Sequence, residues 1–162
     1  KNNLITVTGG RWTTYRRMAE DTVDKAIKIE LLPKRICKSR LFRIHGYKLN
    51  PHTSNHLYVY GSDKPAIKKM IDNESMMAAL IHPDYPYTVA EIIWAARKEM
   101  ARTVEDVLSR RVRLLVIDAR AAIEAAPVVA QIMADEFGYN QDWIDNQVET
   151  FNRIAQKYLP VV

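Results

Sequence analysis

Two adjacent glycines, Gly9 and Gly10, mark the part of this sequence that is best suited to bind a ligand. They follow the apolar, β-branched run 4–7 and precede a stretch with helical spacing of its apolar residues, which predicts a strand, a tight turn and a helix. A helix start presents unpaired N–H groups and the positive end of the helix dipole, and glycine lets a ligand approach the backbone. The turn therefore suits an anion or a polarised carbonyl. Many such turns bind nothing, so that interpretation stays open.

The helix behind the turn must position it. Its apolar stripe consists of Tyr15, Met18, Ala19, Thr22, Val23, Ala26 and Ile27. Thr13 or Thr14 is expected to cap the helix, because a short hydroxyl can accept from the free N–H groups of the first turn. The chain offers no second strand to pair with residues 4–7. We therefore predict that this strand is frayed, or pairs with a neighbouring molecule.

Helical periodicity fades in residues 30–55, which we interpret as a linker. Pro33, Gly46 and Pro51 interrupt it, and a short extended piece is expected at residues 41–45. The segment is basic, and its cations are Lys34, Arg35, Lys38, Arg40 and Arg43.

The rest of the chain is predicted to be helical almost throughout. Helix starts and stops are indicated by Asp63 with Pro65, Thr88 with Glu91, Thr103 with Asp106, Asp118, Gly138, Asn140 and Pro160. Pro127 is expected to kink or divide the helix that begins after Asp118. Because each helix has one apolar face that needs a partner, we predict a bundle.

This helical part shows few residues in patterns that could catalyse a reaction. His52 and His56 are four apart, but Pro51 favours a loop there and no third ligand has a matching spacing, so no metal site is predicted. Acids and bases at helical offsets indicate ion pairs; they are Glu99, Glu105, Asp106 and Glu124, with Arg97, Lys98, Arg102, Arg110 and Arg111. The aromatics Tyr58, Tyr60, Tyr85, Tyr87 and Trp94 are expected to fill cores and interfaces. We predict no catalytic residue in this chain.

Composition is that of an ordinary globular domain, with 48% hydrophobic and 27% charged residues. No apolar run approaches the roughly 20 residues that cross a bilayer. The single Cys37 excludes an intrachain disulfide. The net charge of +5 is spread along the chain, so no nucleic-acid partner is expected. A stand-alone helical binding module, basic and able to bind nucleic acid or another partner, is the alternative function.

Two long motifs carry a resemblance that covers nearly the whole chain. The first is residues 5–16, ITVTGGRWTTYR, followed by MAED at 18–21. The second comprises HLYVYGSD at 56–63, ARKEMARTVEDVLSRR at 96–111 and DARAA at 118–122. In this order they resemble the last flavin-binding turn and the helical C-terminal domain of FAD-dependent glycerol-3-phosphate dehydrogenases.

The resemblance implies an oxidoreductase that converts sn-glycerol 3-phosphate to dihydroxyacetone phosphate and passes electrons through FAD to a quinone. It places Gly9, Gly10, Trp12, Thr13 and Thr14 at the flavin. Position 11, usually Lys in the family, would lie near flavin and substrate phosphate. Arg11 keeps the charge there but has a planar fork in place of a point charge. The dinucleotide fingerprint and the other substrate-binding residues of the family lie upstream of Lys1, so this fragment alone is expected to be inactive and to carry no FAD.

The resemblance also implies a domain organisation. Residues 1–29 would end the FAD-binding domain as a strand, glycine turn and helix, residues 30–55 would link, and residues 56–162 would form the all-helical C-terminal domain. The expected fold class is therefore mainly α, a helical bundle behind a remnant of an α/β domain. Upstream FAD and substrate domains are the expected partners. Because no calcium-binding loop follows the helical part, a bacterial-type parent is expected, in the cytoplasm and peripheral at the inner membrane.

Overall fold

A computed structural model describes residues 4–160 and divides the chain into two compact units, residues 1–47 and 48–162. The division falls inside the predicted 30–55 linker. Within residues 4–160 no helix is both long enough and apolar enough to cross a membrane. The described part is mainly helical with one small sheet, which confirms the expected fold class.

The first unit contains a 3-10 turn, Trp12–Thr14, that runs directly into helix α1, Tyr15–Lys28. This confirms the predicted helix. Residues 4–7 are not in a strand, in agreement with the prediction that they have no partner strand within this chain, and residues 41–45 are not in a strand either. The physical reason is that a strand is held by hydrogen bonds to a neighbouring strand, and the described part of this unit has none.

Glu30, two residues after the end of helix α1, is left-handed, with a φ of +62°. The N–H of Leu31 donates to the carbonyl of Ala26 at 2.9 Å, which closes the end of the helix. Ala26 is the single buried hydrophobic residue that residues 4–47 contribute. The apolar stripe of α1 therefore finds little to pack against inside this unit.

The second unit begins with a 3-10 segment at His56–Asp63 and a short one at Ser75–Ala78, and its last helix is followed by a 3-10 turn at Gln156–Tyr158. Its helices and strands are α2 Lys64–Asn73, β1 Leu80–His82, β2 Tyr85–Thr88, α3 Val89–Lys98, a π-helical segment Asp106–Arg111, α4 Leu114–Ile117, α5 Ala119–Phe137 and α6 Gln141–Ala155. The predicted helices are present, except that the helix expected from Thr103 to Leu115 ends at Arg111 and Leu115 lies in the separate helix α4.

Capping residues set most of these boundaries. Thr88 and Glu91 form the predicted capping box at the start of α3. The carboxylate of Asp118 accepts from the N–H groups of Arg120 and Ala121 at the start of α5, and Asn140 accepts from the N–H of Trp143 in α6. These short polar side chains satisfy donors that have no partner within the helix, so local sequence alone fixes where the helices begin.

The hairpin of β1 and β2 was not predicted. Leu80 pairs with Thr88 and His82 with Tyr85, with an irregularity between the two pairs. Pro83 and Asp84 form the turn, and Tyr85 and Tyr87 alternate with residues of the other face, which is the local signal for a strand. The strands are only three and four residues long, so hydrophobic periodicity does not identify them.

Two helices differ from the expectation in detail. The segment opened by Thr103 is π-helical over Asp106–Arg111, a geometry that sequence periodicity does not distinguish. Pro127 lies inside α5 without dividing it, so the expected division is wrong. Gly138 ends α5 in the left-handed conformation, with φ of +71°, as predicted.

Helix α5 is central to the bundle and packs against α3, α4 and α6 and against β1. Its inward face is made largely of alanines, which let neighbouring helices approach closely, and Met133 adds bulk there. Phe151 of α6 is 1% exposed in the same core. A smaller cluster of Leu57, Ile67, Ala90 and Trp94 lies under the 3-10 segment.

Candidate functional site

The glycine turn has the backbone geometry that requires glycine at both positions. Gly9 has a φ of +76° and Gly10 a φ of +102°, conformations that side-chain-bearing residues rarely adopt. A Cβ on Gly10 would overlap the sulfur of Met18, one turn into the helix. A Cβ on Gly9 would meet nothing within 4 Å. A side chain at position 10 would therefore need a positive φ and would also displace the flexible end of the Met18 side chain.

Thr14 closes the turn behind the glycines. Its Oγ1 accepts from the N–H of Arg11 at 3.1 Å and donates to the Arg11 carbonyl at 3.0 Å. The N–H of Thr14 also donates to that carbonyl, at 2.9 Å. Thr14 does occupy the cap position of α1, but its hydroxyl bonds back to Arg11 and makes no cap bond to the helix. The predicted helix-capping role of its side chain is therefore wrong, and the side chain rigidifies the turn.

Positive charge and free donors converge at this turn. Within residues 4–160, the N–H groups of Trp12 and Thr13 donate to no protein acceptor, and Arg11 forms no salt bridge. Thr8 to Thr14 are all exposed. A cation beside a helix N-terminus is electrostatically unfavourable unless an anion lies nearby. The arrangement therefore suits an anionic or electron-rich ligand.

An aromatic pair flanks the same turn. The rings of Trp12 and Tyr15 stack with centroids 5.1 Å apart and an angle of 25° between their planes. Trp12 is 85% exposed, so one large face is available for contact. Planar ligands pack well against such faces.

The first turn of α1 is held by charged side chains. Arg16 and Arg17 donate to the carboxylate of Glu20 at 3.0 and 3.1 Å, and Arg16 also donates to the hydroxyl of Ser39. The hydrogen bond from Arg16 lowers the pKa of Glu20. These contacts attach residue 39 to α1 within the first unit.

The six residues predicted at the site, Gly9 to Thr14, form one continuous exposed turn. Sequence reasoning missed the role of Met18, which fills the space beside Gly10, and of Tyr15, which supports Trp12. The role of Met18 could have been predicted from its spacing, because a residue four positions after Thr14 lies on the face of the helix that faces the turn.

The histidines of the helical part have partners other than a metal. No group of three metal-ligating side chains occurs in the described part of the chain. His56 Nε2 donates to Glu91 at 2.9 Å, and His82 Nε2 donates to Glu124 at 3.1 Å. Glu124 was expected to pair with a basic helix residue, so that expectation is wrong.

The predicted ion pairs of the acidic residues Glu99, Glu105 and Asp106 are confirmed. Arg110 contacts Glu105 at 2.6 Å and Asp106 at 2.9 Å, and Arg111 contacts Glu99 at 3.4 Å. Backbone and side-chain donors outweigh desolvation by burial and lower the pKa of Asp106. These ion pairs connect neighbouring parts of the fold. Among the described residues, none of them forms a catalytic acid–base pair in a cavity.

The glycine turn at the start of α1, and a second unit made of helices with one small hairpin, define a mainly helical protein. The family model for the C-terminal domain of alpha-glycerophosphate oxidase matches residues 3–143, and the chain belongs to that family. The recognition made from the two sequence motifs is thereby confirmed.

Similar proteins carry the related name glycerol-3-phosphate dehydrogenase, mitochondrial. The protein of Mesocricetus auratus is 32% identical over 179 residues, covering 98% of this chain and 24% of the relative. That of Schizosaccharomyces pombe is 30% identical over 197 residues, covering 96% and 30%. A probable enzyme of Caenorhabditis elegans is 32% identical over 161 residues, covering 86% and 22%. The chain thus spans about a quarter of the length of these relatives. No solved structure matches it significantly.

Proposed function

We propose that this chain is part of an FAD-dependent glycerol-3-phosphate dehydrogenase, to which it contributes the flavin-side turn and the helical C-terminal domain. The proposed reaction oxidises sn-glycerol 3-phosphate to dihydroxyacetone phosphate and passes two electrons through FAD to a quinone. The chemistry that FAD supplies, when bound, is acceptance of a hydride from the substrate carbon that bears the secondary hydroxyl.

One observation carries the proposal. The turn Gly9 to Thr14 combines two left-handed glycines with two N–H groups and an Arg11 that have no hydrogen-bond acceptor or salt-bridge partner, respectively, among residues 4–160, and it lies in the segment that matches the family. The donors of Trp12 and Thr13 would bind the oxygen-bearing edge of the flavin, where negative charge develops on reduction. Thr14 would hold the turn in shape, and Arg11 would bind the substrate phosphate or that same edge.

The experiment uses the full-length protein, with the upstream dinucleotide-binding and substrate domains. It is expected to purify yellow and to reduce an artificial acceptor when glycerol 3-phosphate is added. The 162-residue chain alone is expected to be colourless and inactive. A folded full-length protein that is colourless and inactive would overturn the proposal, and would leave the stand-alone binding module as the alternative.

Location is part of the proposal. We infer that the full-length protein is peripheral at an inner membrane, where quinones dissolve, with this chain on the cytoplasmic side if the parent is bacterial, as expected from the sequence. Support comes from residues 34–47, where exposed apolar side chains alternate with cations. Ile36 is 91%, Leu41 90% and Phe42 73% exposed. Such a segment binds anionic lipid through both charge and apolar contact.

A vesicle experiment tests this location. Full-length protein is expected to sediment with vesicles that contain an anionic lipid and less with purely zwitterionic ones. Replacing Leu41 and Phe42 by Ser should reduce sedimentation, whereas Val59→Ser, at an apolar side chain of the second unit that is 66% exposed, should not. Equal sedimentation of both variants, or none with the parent sequence, would exclude residues 34–47 as the membrane contact.

A further inference from the structure

Glu91 is a buried carboxylate in the second unit, with 1% of its surface exposed. Its Oε2 accepts from the N–H of Thr88 at 2.8 Å, from Thr88 Oγ1 at 3.1 Å and from His56 Nε2 at 2.9 Å. Among the residues that the structure describes, its Oε1 accepts from the hydroxyl of Tyr60 alone, at 3.1 Å. These bonds satisfy one oxygen fully and leave the other with room for a second donor.

The charge of Glu91 has no permanent cation beside it. Within residues 4–160 no Lys or Arg forms a salt bridge with this carboxylate, and its one basic neighbour is His56. Fully buried carboxylates are rare unless a cation compensates them, because removing an uncompensated charge from water is costly. Compensation can therefore come from His56 or from a ligand.

A cavity of about 210 Å³ lies beside Glu91, between the 3-10 segment His56–Asp63 and the start of α3. Three aromatic walls, Tyr58, Tyr60 and Tyr87, surround it, with two valines, and His56 and Glu91 supply its charged or polar groups. No Lys or Arg of the described ranges lines it. Tyr58 is 39% exposed, so the cavity can be reached from solvent.

Carboxylates also act on the tyrosines of the cavity. Burial, then the charges of Glu91 and Glu99, raise the pKa of Tyr60 well above its usual range. Burial and the charge of Glu91 also raise the pKa of Tyr87. The carboxylates thus oppose a further negative charge here and favour a positive one.

We propose that this cavity binds one small organic cation, an ammonium or guanidinium group, with Glu91 as its counter-charge and the tyrosines as its walls. Aromatic faces attract cations, and a buried carboxylate adds a charge-assisted hydrogen bond. The volume is below the roughly 300 to 1,000 Å³ of pockets for drug-sized ligands, so a single head group fits and a nucleotide does not. The group comes from a free amine or guanidine, or from a Lys or Arg side chain of another protein segment.

The test titrates the isotope-labelled 162-residue chain with methylguanidinium and methylammonium and follows the backbone amides by NMR. Saturable shifts are expected at residues 58–60, 87, 91 and 112. Methylurea, which has the shape of methylguanidinium without its charge, should give none. Shifts that are absent, unsaturable or equal with methylurea would overturn the proposal and would assign the compensating charge to His56.

Variants locate the site. Glu91→Gln should weaken binding about tenfold or more, because it removes the counter-charge, while Glu149→Gln, an exposed carboxylate of α6, should leave binding unchanged. If Glu91→Gln does not fold, Tyr58→Ala keeps every bond to Glu91 and should weaken binding severalfold by removing one aromatic wall. Unchanged affinity in Tyr58→Ala or in folded Glu91→Gln would overturn the assignment.

Blocked amino acids distinguish the two sources. Tighter binding of N-acetyl-arginine or N-acetyl-lysine methylamide than of the free head groups would identify a protein side chain as the ligand. Equal or weaker binding would identify a free small cation.

Discussion

The sulfur of Met18 occupies the place in which a Cβ on Gly10 would lie. This contact joins the glycine turn to α1, so the shape of the turn depends on the helix behind it. Gly9, its neighbour, has no such contact. The pair offers a controlled test, because both glycines are left-handed and only one is also confined by packing.

Gly10→Ala is expected to lower the flavin content of the full-length protein more than Gly9→Ala does. In both variants an alanine must adopt a left-handed conformation, at a cost of about 1–2 kcal/mol. Gly10→Ala also displaces the side chain of Met18. The ratio of flavin to protein absorbance, with the thermal midpoint, measures the difference. Equal losses in the two variants would mean that Met18 does not define the turn.

Arg11→Ala in the full-length protein is expected to raise the KM for glycerol 3-phosphate or to shift the flavin midpoint potential. The reason is that Arg11 is the one cation at the turn. Arg11→Lys keeps that charge, so its KM and midpoint potential should lie close to those of the parent protein. It would lose only a two-point contact to phosphate. Steady-state kinetics and a redox titration check this. No change in either quantity for Arg11→Ala would remove this residue from the site.

Asp118→Asn should destabilise the chain at neutral pH. Hydrogen bonds from the N–H of Ala121 and the hydroxyl of Tyr85 lower the pKa of Asp118 below its usual value of 3.8. A carboxyl whose pKa is lower in the folded state stabilises the fold above about pH 3.8, and that contribution is lost as pH falls through the folded value. The difference in unfolding free energy between parent and variant should therefore shrink on acidification.

Denaturant unfolding at pH 7 and near pH 3 measures this effect. Tyr85→Phe, which removes a single donor to Asp118 at 3.0 Å, should show the same trend with smaller size. Asp135→Asn, an exposed position near the end of the same helix, should show little. A difference for Asp118→Asn that grows at low pH would contradict the sign of the pKa change.

Phe151→Ala should destabilise the second unit by about 3–5 kcal/mol, because it leaves a cavity in the core between α5 and α6. Tyr158→Ala, at a position that is 54% exposed, should change the unfolding free energy by no more than about 0.5 kcal/mol. Denaturant unfolding of the 162-residue chain tests both. Similar losses for the two variants would mean that α6 is not packed in the core.

The sequence alone predicted the helical part well, because helix starts and stops depend on neighbouring residues. Thr88 with Glu91, Asp118, Gly138 and Asn140 each act within one turn of the chain, so spacing suffices to identify them. The hairpin at residues 80–88 was missed since its strands are too short for periodicity to show. Residues 4–7 have a strand pattern but form no strand, as the predicted fraying implies, because no partner strand lies in the described part of the chain.

The sequence alone also predicted the position of the glycine turn and its resemblance to the corresponding turn of the family. Residues 9–14 are contiguous, so no fold is needed to bring them together. Tertiary structure decided how they are held: Met18 packs on Gly10, and the hydroxyl of Thr14 bonds to Arg11 in place of the helix. The near absence of buried side chains in residues 4–47 likewise follows only from coordinates.

The cluster around Glu91 depended on tertiary structure entirely. The sequence showed Glu91 as a capping residue and His56 as a poor metal ligand, and both statements are local. The fold brings His56 and Tyr60 to one carboxylate across 35 and 31 residues, and leaves a tyrosine-walled cavity beside it. Local patterns determine where helices begin and end because their bonds span a few residues, whereas burial and long-range charge contacts exist only once the chain has packed.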